Sequence, residues 1–384
     1  MPDTPDGKYK GTRGPQPRQG MGKLRRASRK PDTRASGWER HQDDDHFLDR
    51  HAQVKRASHP GENLLARFNR LAQEHEQQRA LGEDALVCGF AGSSIVVRLG
   101  NGGEIPCEMR RALMKRVSGV RNPICVGDRV RVDRTGTTPV INALHPRTSL
   151  LARTDSHNKS LVHVLCANVD RLVVVSSLAD PVFKPAFVDR YLLIALLNGI
   201  PPTVVLNKRD LGDAEPAAAL YRDLGHPVFT TDARHDGASA ALDELRNHLR
   251  GAITVFAGQS GVGKSSLINA LYPLTEARVG VVSGGTGLGR HTTTSARGYA
   301  LPDGGTLIDT PGIKECGITG LNALDVALLY PDLARWHHQC RFNDCTHRHE
   351  PGCAVQAAVE RGEIAASRYF SYRAIVEEDL GLGG

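Results

Sequence analysis

The sequence has no long apolar run. The longest, over 191–197, falls far short of the ~20 residues that cross a bilayer as a helix, so no membrane partner is expected. No signal peptide is legible either, because the basic N-terminus has no apolar stretch behind it. Cysteine is sparse: eight residues in 384, with Cys88, Cys107, Cys125, Cys166 and Cys316 isolated and only Cys340, Cys345 and Cys353 close together. That scatter excludes a disulfide framework and suits a reducing compartment with one metal site. An internal repeat is also missing. The 40% apolar share excludes a wholly disordered chain. These absences point to a cytoplasmic protein.

What is present begins with charge. The 49 Lys+Arg against 42 Asp+Glu leave +7, and the excess is uneven along the chain. Residues 1–82 carry +6, 83–150 carry +4, 151–320 are neutral and 321–384 carry −3. The first stretch sets Lys8, Lys10, Arg13, Arg18, Lys23 and Arg25 among Gly and Pro with no apolar periodicity. It reads as a disordered basic arm, either solubilising or phosphate-contacting. Leu64, Leu65, Phe68 and Leu71 then mark a short amphipathic helix.

Three further regions follow. Residues 83–150 hold five short alternating runs (86–90, 94–99, 105–107, 130–132, 140–144) divided by Gly-rich turns, which predicts a small OB-like β-barrel. From Arg171 strands and helices alternate through 151–320. Strands are expected at 172–175, 203–206, 228–231, 253–257 and 305–308, with helices at 187–197, 215–224 and 238–249. This predicts a doubly wound α/β domain. Residues 321–384 contain the cysteine cluster and two helical stretches, 354–361 and 364–378.

The strand at 253–257 leads into Gly258, Gln259, Ser260, Gly261, Val262, Gly263, Lys264, Ser265 and Ser266, the Gly-x-x-x-x-Gly-Lys-Ser phosphate loop in its strand–loop–helix setting. Its backbone N–H groups would turn around phosphates, Lys264 would bridge β- and γ-phosphates, and Ser265 would ligate Mg²⁺. Asn207, Lys208, Arg209 and Asp210 end another strand. A carboxylate there accepts from guanine N1–H and its exocyclic amine together, which adenine cannot offer. Asn207 would tie this loop to the phosphate loop, and Lys208 would lie along the base. Asp309-Thr310-Pro311-Gly312 follows a further strand. Asp309 would bind Mg²⁺ through its hydration shell, and the Gly312 N–H would sense the γ-phosphate. The Gly-rich stretch from 284 to Thr294 between them has the composition of a segment ordered by γ-phosphate and Mg²⁺. One of Thr292, Thr293 and Thr294 is expected to reach the metal, with Thr293 favoured.

Cys340, Cys345 and Cys353, with a histidine from His337, His338, His347 or His349, offer the thiolates and imidazole of a closed tetrahedral Zn²⁺ site. A redox-active thiol cluster is the competing reading.

The order is unusual. In most guanine-nucleotide switches the phosphate loop comes first and the guanine reader last, whereas here 207–210 precede 258–265 and 309–312. The set is circularly permuted. This order, with Gly-Gln-Ser-Gly-Val-Gly-Lys-Ser-Ser, Gly-Arg-His-Thr-Thr-Thr, Asp-Thr-Pro-Gly and the cysteine cluster, resembles the RsgA (YjeQ) family of ribosome-associated GTPases over roughly residues 85–355. The resemblance implies a GTPase acting late in small-subunit assembly. Its implied partners are GTP/GDP, the small ribosomal subunit and its rRNA, with nucleotide state controlling binding and release by a monomer. It selects His347 as the fourth zinc ligand. The family's fifth guanine-contacting motif is usually Ser-Ser or Ser-Ala; Thr231-Asp232-Ala233 occupies that region here.

Ras-like switches place a water-orienting Gln directly after Asp-x-x-Gly; this chain has Ile313 there. Slow turnover alone and stimulation by the small subunit are therefore expected, with His291 as the internal catalytic candidate. Two competing readings are a non-guanine-specific P-loop ATPase and an RNA-binding zinc protein with a vestigial nucleotide site.

Overall fold

In a computed structural model of the 384-residue chain, the described residues are 65, 66, 68–70, 72, 73, 82–110, 113, 124–154, 162–234, 239–272, 296–310, 313, 316, 318 and 321–381. The basic arm before residue 65, and the whole of the Gly-rich stretch with His291, Thr292, Thr293 and Thr294, lie outside them, as do Leu64, Leu71 and Gly312.

Strands β1 (Glu83–Ala91), β2 (Ser94–Leu99), β3 (Glu104–Met109), β4 (Arg129–Asp133) and β5 (Val140–Leu144) close into a barrel in the order β1-β2-β3-β5-β4. Alternation explains it: Val87, Ile95, Val97, Val130, Val132 and Ile141 line the interior while intervening residues face outward. Pairing of β1 with both β2 and β4 removes the exposed edge. This is the expected OB-like barrel.

A hairpin, β6 (Leu150–Thr154) with β7 (Val162–Ala167), leads out of it. The sequence reading did not anticipate this pair. Where the two regions meet, Arg147 forms a buried two-pronged pair with Asp128 at 2.6 and 2.7 Å. Helical residues Phe68 and Asn69 cover it: the guanidinium lies 3.7 Å from the Phe68 ring centre, and Asn69 exchanges two hydrogen bonds with the Arg147 backbone.

The second sheet has six strands in the order β10-β9-β8-β11-β13-β12. They are β8 (Arg171–Ser177), β9 (Pro202–Asn207), β10 (Val228–Thr231), β11 (Ile253–Gly258), β12 (Arg297–Ala300) and β13 (Thr306–Asp309). All pairs are parallel except β12 with β13. Helices α1 (Pro185–Leu197) and α2 (Glu215–Asp223) pack on one face, and α3 (Ala240–Leu249) and α4 (Lys264–Leu271) on the other. With both faces covered, β8 and β11 are continuous apolar runs, as parallel strands require. The barrel meets this sheet at its antiparallel edge, where Arg98 donates to the Gly298 carbonyl at 2.9 Å.

The C-terminal part contains α5 (Ala323–Leu328), α6 (Pro331–His337), α7 (Ala354–Glu360) and α8 (Ala366–Leu380). It has no separate core: Leu333, Val355, Tyr372 and Val376 join the cluster that holds Leu172, Val188 and Leu206 of the sheet domain. Arg368 fastens the two. Its guanidinium is buried, reaches Asp189 of α1 at 2.5 Å and Asp332 at 2.9 Å, and lies 4.3 Å from the Tyr330 ring centre. Asp189→Ala would leave a buried guanidinium under-neutralised, and a loss of about 3 kcal/mol is expected by urea unfolding.

Candidate functional site

The C-terminal ends of β8, β9, β10, β11 and β13 lie along one edge of the sheet, where open α/β folds bind ligands. The phosphate loop leaves β11 there. Gly258 is required by close approach, since a Cβ would sit 2.6 Å from the Val175 carbonyl oxygen. Gly263 caps α4 at φ 89° with no side-chain cap, so the first-turn N–H groups have no side chain of their own to satisfy them. Lys264 folds back so that its ammonium donates to the carbonyls of Gly258 (2.7 Å) and Gln259 (2.8 Å). Ser260 is exposed at the turn, Val262 is buried, and Ser265 and Ser266 are half-buried in the first turn of α4.

Asn207 ends β9, two strands away from β11. Its buried carboxamide donates to the Val262 carbonyl at 2.9 Å and accepts from the Thr231 hydroxyl at 3.0 Å and the Ala233 N–H at 3.1 Å. The loop after β9, the phosphate loop and the loop after β10 are thereby tied at one point. Lys208 adopts φ 61°, and its ammonium donates to the Asp180 carbonyl. Arg209 and Asp210 are exposed in a short 3-10 turn. A pocket opens among these loops, lined by Asn207, Lys208, Asp232, Ala233, Arg234, Gly261, Gly263 and Ser266. Asp180, Pro181 and Arg234 had no sequence signal of their own. Their place depends on how the loops after β8 and β10 fold over the edge.

Asp309 ends β13 beside the phosphate-loop strand. Burial raises its carboxyl from 3.8 to about 6, against the opposing pull of Lys264. Next to it the Thr310 hydroxyl is buried with no hydrogen-bond partner among the described residues. Ile313, at the position where a Ras-like switch has its Gln, is 6% exposed and faces the core rather than the site.

A second cluster lies in the C-terminal part. The Sγ atoms of Cys340, Cys345 and Cys353 and a ring nitrogen of His347 all lie within 4.8 Å of one another. His347 Nδ1 is 3.5 Å from Cys340 Sγ and 3.3 Å from Cys353 Sγ. Backbone N–H groups of Ala354 and Gln356 point at the sulfurs of Cys340 and Cys353, a favourable arrangement for thiolates. The Glu350 carboxylate gathers the N–H groups of Thr346, Arg348 and His349, folding the turn in which His347 takes φ 59°. Burial and the adjacent His337 push the His347 imidazole down to about 4, so it is neutral near pH 7, the ligating form. Burial pushes the Cys345 and Cys353 thiols up, so metal loading must displace protons. The donor set fits a closed tetrahedral metal site.

His337 was one of several histidines that competed for the fourth ligand position. It instead stands behind His347, with Nδ1 3.1 Å from His347 Nε2 and Nε2 3.1 Å from the Asn343 carbonyl. One tautomer pattern satisfies the whole chain: His347 Nε2–H donates to His337 and His337 Nε2–H donates to Asn343, leaving His347 Nδ1 bare toward the sulfurs. His337→Ala is expected to lower zinc affinity ~10- to 100-fold, measured by competition with a chelator.

For Asp309 the raised pKa means that the fold favours the neutral acid. That advantage is present below 3.8 and is lost as pH rises through about 6. Asp309→Asn, neutral throughout, should therefore raise the urea midpoint of the nucleotide-free protein at pH 7 and leave it nearly unchanged near pH 4.

Comparison with known proteins places this geometry. The family model described as RsgA GTPase matches residues 144–319. A small ribosomal subunit biogenesis GTPase RsgA from Porphyromonas gingivalis is 39% identical over 310 residues, covering 77% of this chain and 97% of that protein. The protein of the same name from Shewanella oneidensis is 36% identical over 308 residues, covering 78% and 85%. Among solved structures, YjeQ from Thermotoga maritima superposes with a TM-score of 0.60 at 32% identity, covering 78% of this chain and 99% of that one. YloQ, described as a circularly permuted GTPase, gives 0.57 at 26% identity, covering 79% and 96%. With the phosphate loop, the guanine reader and the cysteine cluster in the permuted order, the chain belongs to the RsgA family of GTPases.

Proposed function

We propose that this GTPase binds the small ribosomal subunit and acts late in its maturation, with nucleotide state setting when it binds and leaves. The observation that carries the nucleotide half of this reading is the Asn207 carboxamide. It holds a guanine-reading loop at a set distance from a phosphate loop. The relatives' names, small ribosomal subunit biogenesis GTPase, supply the ribosomal half.

In this reading Asp210 recognises guanine, Lys208 lies along the base, and Gly258 to Ser266 cradle the phosphates. Lys264 exchanges its loop carbonyls for β- and γ-phosphate oxygens. Ser265, Asp309 and Thr293 hold Mg²⁺, which supplies charge neutralisation between the phosphates. Gly312 senses the γ-phosphate and His291 aids the attacking water. Cys340, Cys345, His347 and Cys353 hold one structural Zn²⁺, with no open position for catalysis. The four regions would divide the work: 1–82 as a basic arm, 83–150 as an RNA-facing barrel, 151–320 as the GTPase and 321–384 as the zinc-binding part. Exposed Arg110, Arg129 and Arg134 on the barrel support phosphate contact there. The protein would work as a cytoplasmic monomer; among the described residues no helix is long and apolar enough to cross a membrane.

The burial of Ile313 supports slow intrinsic turnover, because no side chain at that position can orient water. GTP hydrolysis measured alone, with small subunits and with large subunits tests the assignment. Stimulation by small subunits and not by large ones is expected. Equal rates in all three would overturn it.

A further inference from the structure

Helix α1 touches more of the nucleotide machinery than its sequence suggests. Its lead-in from β8 carries Pro181, whose Cδ would lie 3.5 Å from a Cβ at Gly261 of the phosphate loop, and whose carbonyl accepts from the Ser177 hydroxyl at 2.7 Å. Nearly two turns into the helix, the Tyr191 hydroxyl donates to the Ile313 carbonyl at 3.0 Å. Tyr191 is 3% exposed and Ile313 6%, so the bond is shielded from water. The Ile313 backbone is held from three directions. Its N–H donates to the Thr310 carbonyl at 3.1 Å, and its carbonyl also accepts from the Cys316 N–H at 3.2 Å. Both lone pairs of that carbonyl are therefore used, one by the local turn and one by a side chain 122 positions away.

The side chain rests on a stiff support. Phe187 packs against its ring with centroids 4.8 Å apart. Asp189, two residues before Tyr191, takes the Arg368 clamp and a hydrogen bond from the Tyr221 hydroxyl at 3.1 Å. A phenylalanine would fill the same space, and the hydroxyl adds only the bond to Ile313. Ile313 is the residue that follows Asp309-Thr310-Pro311-Gly312 in the chain. The bond therefore anchors the chain at the residue just after that motif.

We propose that Tyr191 is a positioning residue for GTP hydrolysis, its hydroxyl fixing Ile313 and, through the bond from the Ile313 N–H to the Thr310 carbonyl, the placement of Asp309 and Thr310 beside the phosphate-loop strand. This rests on the reading of Asp309 as part of the Mg²⁺ site at the γ-phosphate. Groups that hold that site must be placed to within a fraction of an ångström. A small misplacement remote from the reacting atoms is enough to slow a reaction that depends on alignment.

The test compares full-length, zinc- and Mg²⁺-loaded wild type, Tyr191→Phe and Tyr221→Phe with small subunits present. Each variant loses one buried hydroxyl that bonds to or from the α1 region, so similar losses of thermal midpoint are expected. Tyr191→Phe should lower kcat ~10-fold or more, weaken a non-hydrolysable GTP analogue relative to GDP, and leave the GDP affinity within about twofold. Tyr221→Phe should leave kcat and the analogue-to-GDP ratio near wild type. If the two variants match in kcat and in that ratio, the hydroxyl is merely structural and the proposal is overturned. Asp309→Asn separates the layers. Intact Mg²⁺-dependent hydrolysis in that variant would sink the reading of the motif itself, and the proposal with it. Loss in Asp309→Asn together with wild-type kinetics in Tyr191→Phe would sink the Tyr191 assignment alone.

Discussion

The nucleotide site depends on one buried carboxamide. Asn207 uses its oxygen for the Thr231 hydroxyl and the Ala233 N–H, and its nitrogen for the Val262 carbonyl. Those roles cannot be exchanged, because a flipped amide would set carbonyl against carbonyl and N–H against N–H. Strand β8 lies between β9 and β11, so this bond reaches across the end of an intervening strand. The distance between the loop after β9 and the loop after β11 is consequently set by side-chain chemistry as well as by strand spacing. Gly263 shows the tightness of the fit: a Cβ there would lie 2.4 Å from the Asn207 amide nitrogen.

Permutation changes what surrounds that site. The guanine reader comes early, and the motif at 309–312 runs onward into the C-terminal part. The described residues of that part pack on α1 through a shared apolar core and the Arg368 clamp. The metal cluster is bound into the same packing. The Tyr369 hydroxyl donates to the His347 carbonyl at 2.8 Å, and the Tyr372 hydroxyl bonds to the carbonyls of Thr346 and Ala323. Helix α8 therefore carries, on successive turns, the groups that hold the metal turn and the guanidinium that holds α1. The turn that holds His347 is thus fastened to the same helix that packs on the sheet domain.

Much of the fold was legible because its signals are local. Alternation with Gly-rich turns marked each barrel strand, and continuous apolar runs marked β8 and β11. Other elements were not legible, each for a physical reason. In the β6–β7 hairpin Arg153 and His163 stand opposite one another and break the apolar pattern. Strand β12, Arg-Gly-Tyr-Ala, pairs only with β13 and is too short to show a period. Helices α5 and α6 span six and seven residues, less than two full turns each. Spacing brings the three cysteines to notice but leaves four histidines open; the structure gathers His347 with the sulfurs and sets His337 behind it, a difference that sequence distance cannot express.

Sequence alone carries the short motifs: a phosphate-loop run, an Asn-Lys-Arg-Asp run after a strand, a Cys and His cluster, and the permuted order in which they occur. Each is a short run whose backbone and side chains act together, so spacing alone carries the information. The tertiary structure decided which distant groups meet. Arg368 and Asp189, Tyr191 and Ile313, Arg98 and Gly298, and His337 and His347 come together only when packed elements bring them into register. No local pattern announces such pairs. A buried polar group takes whichever partner the packing supplies, and the cost of leaving it unpaired then holds that packing in place.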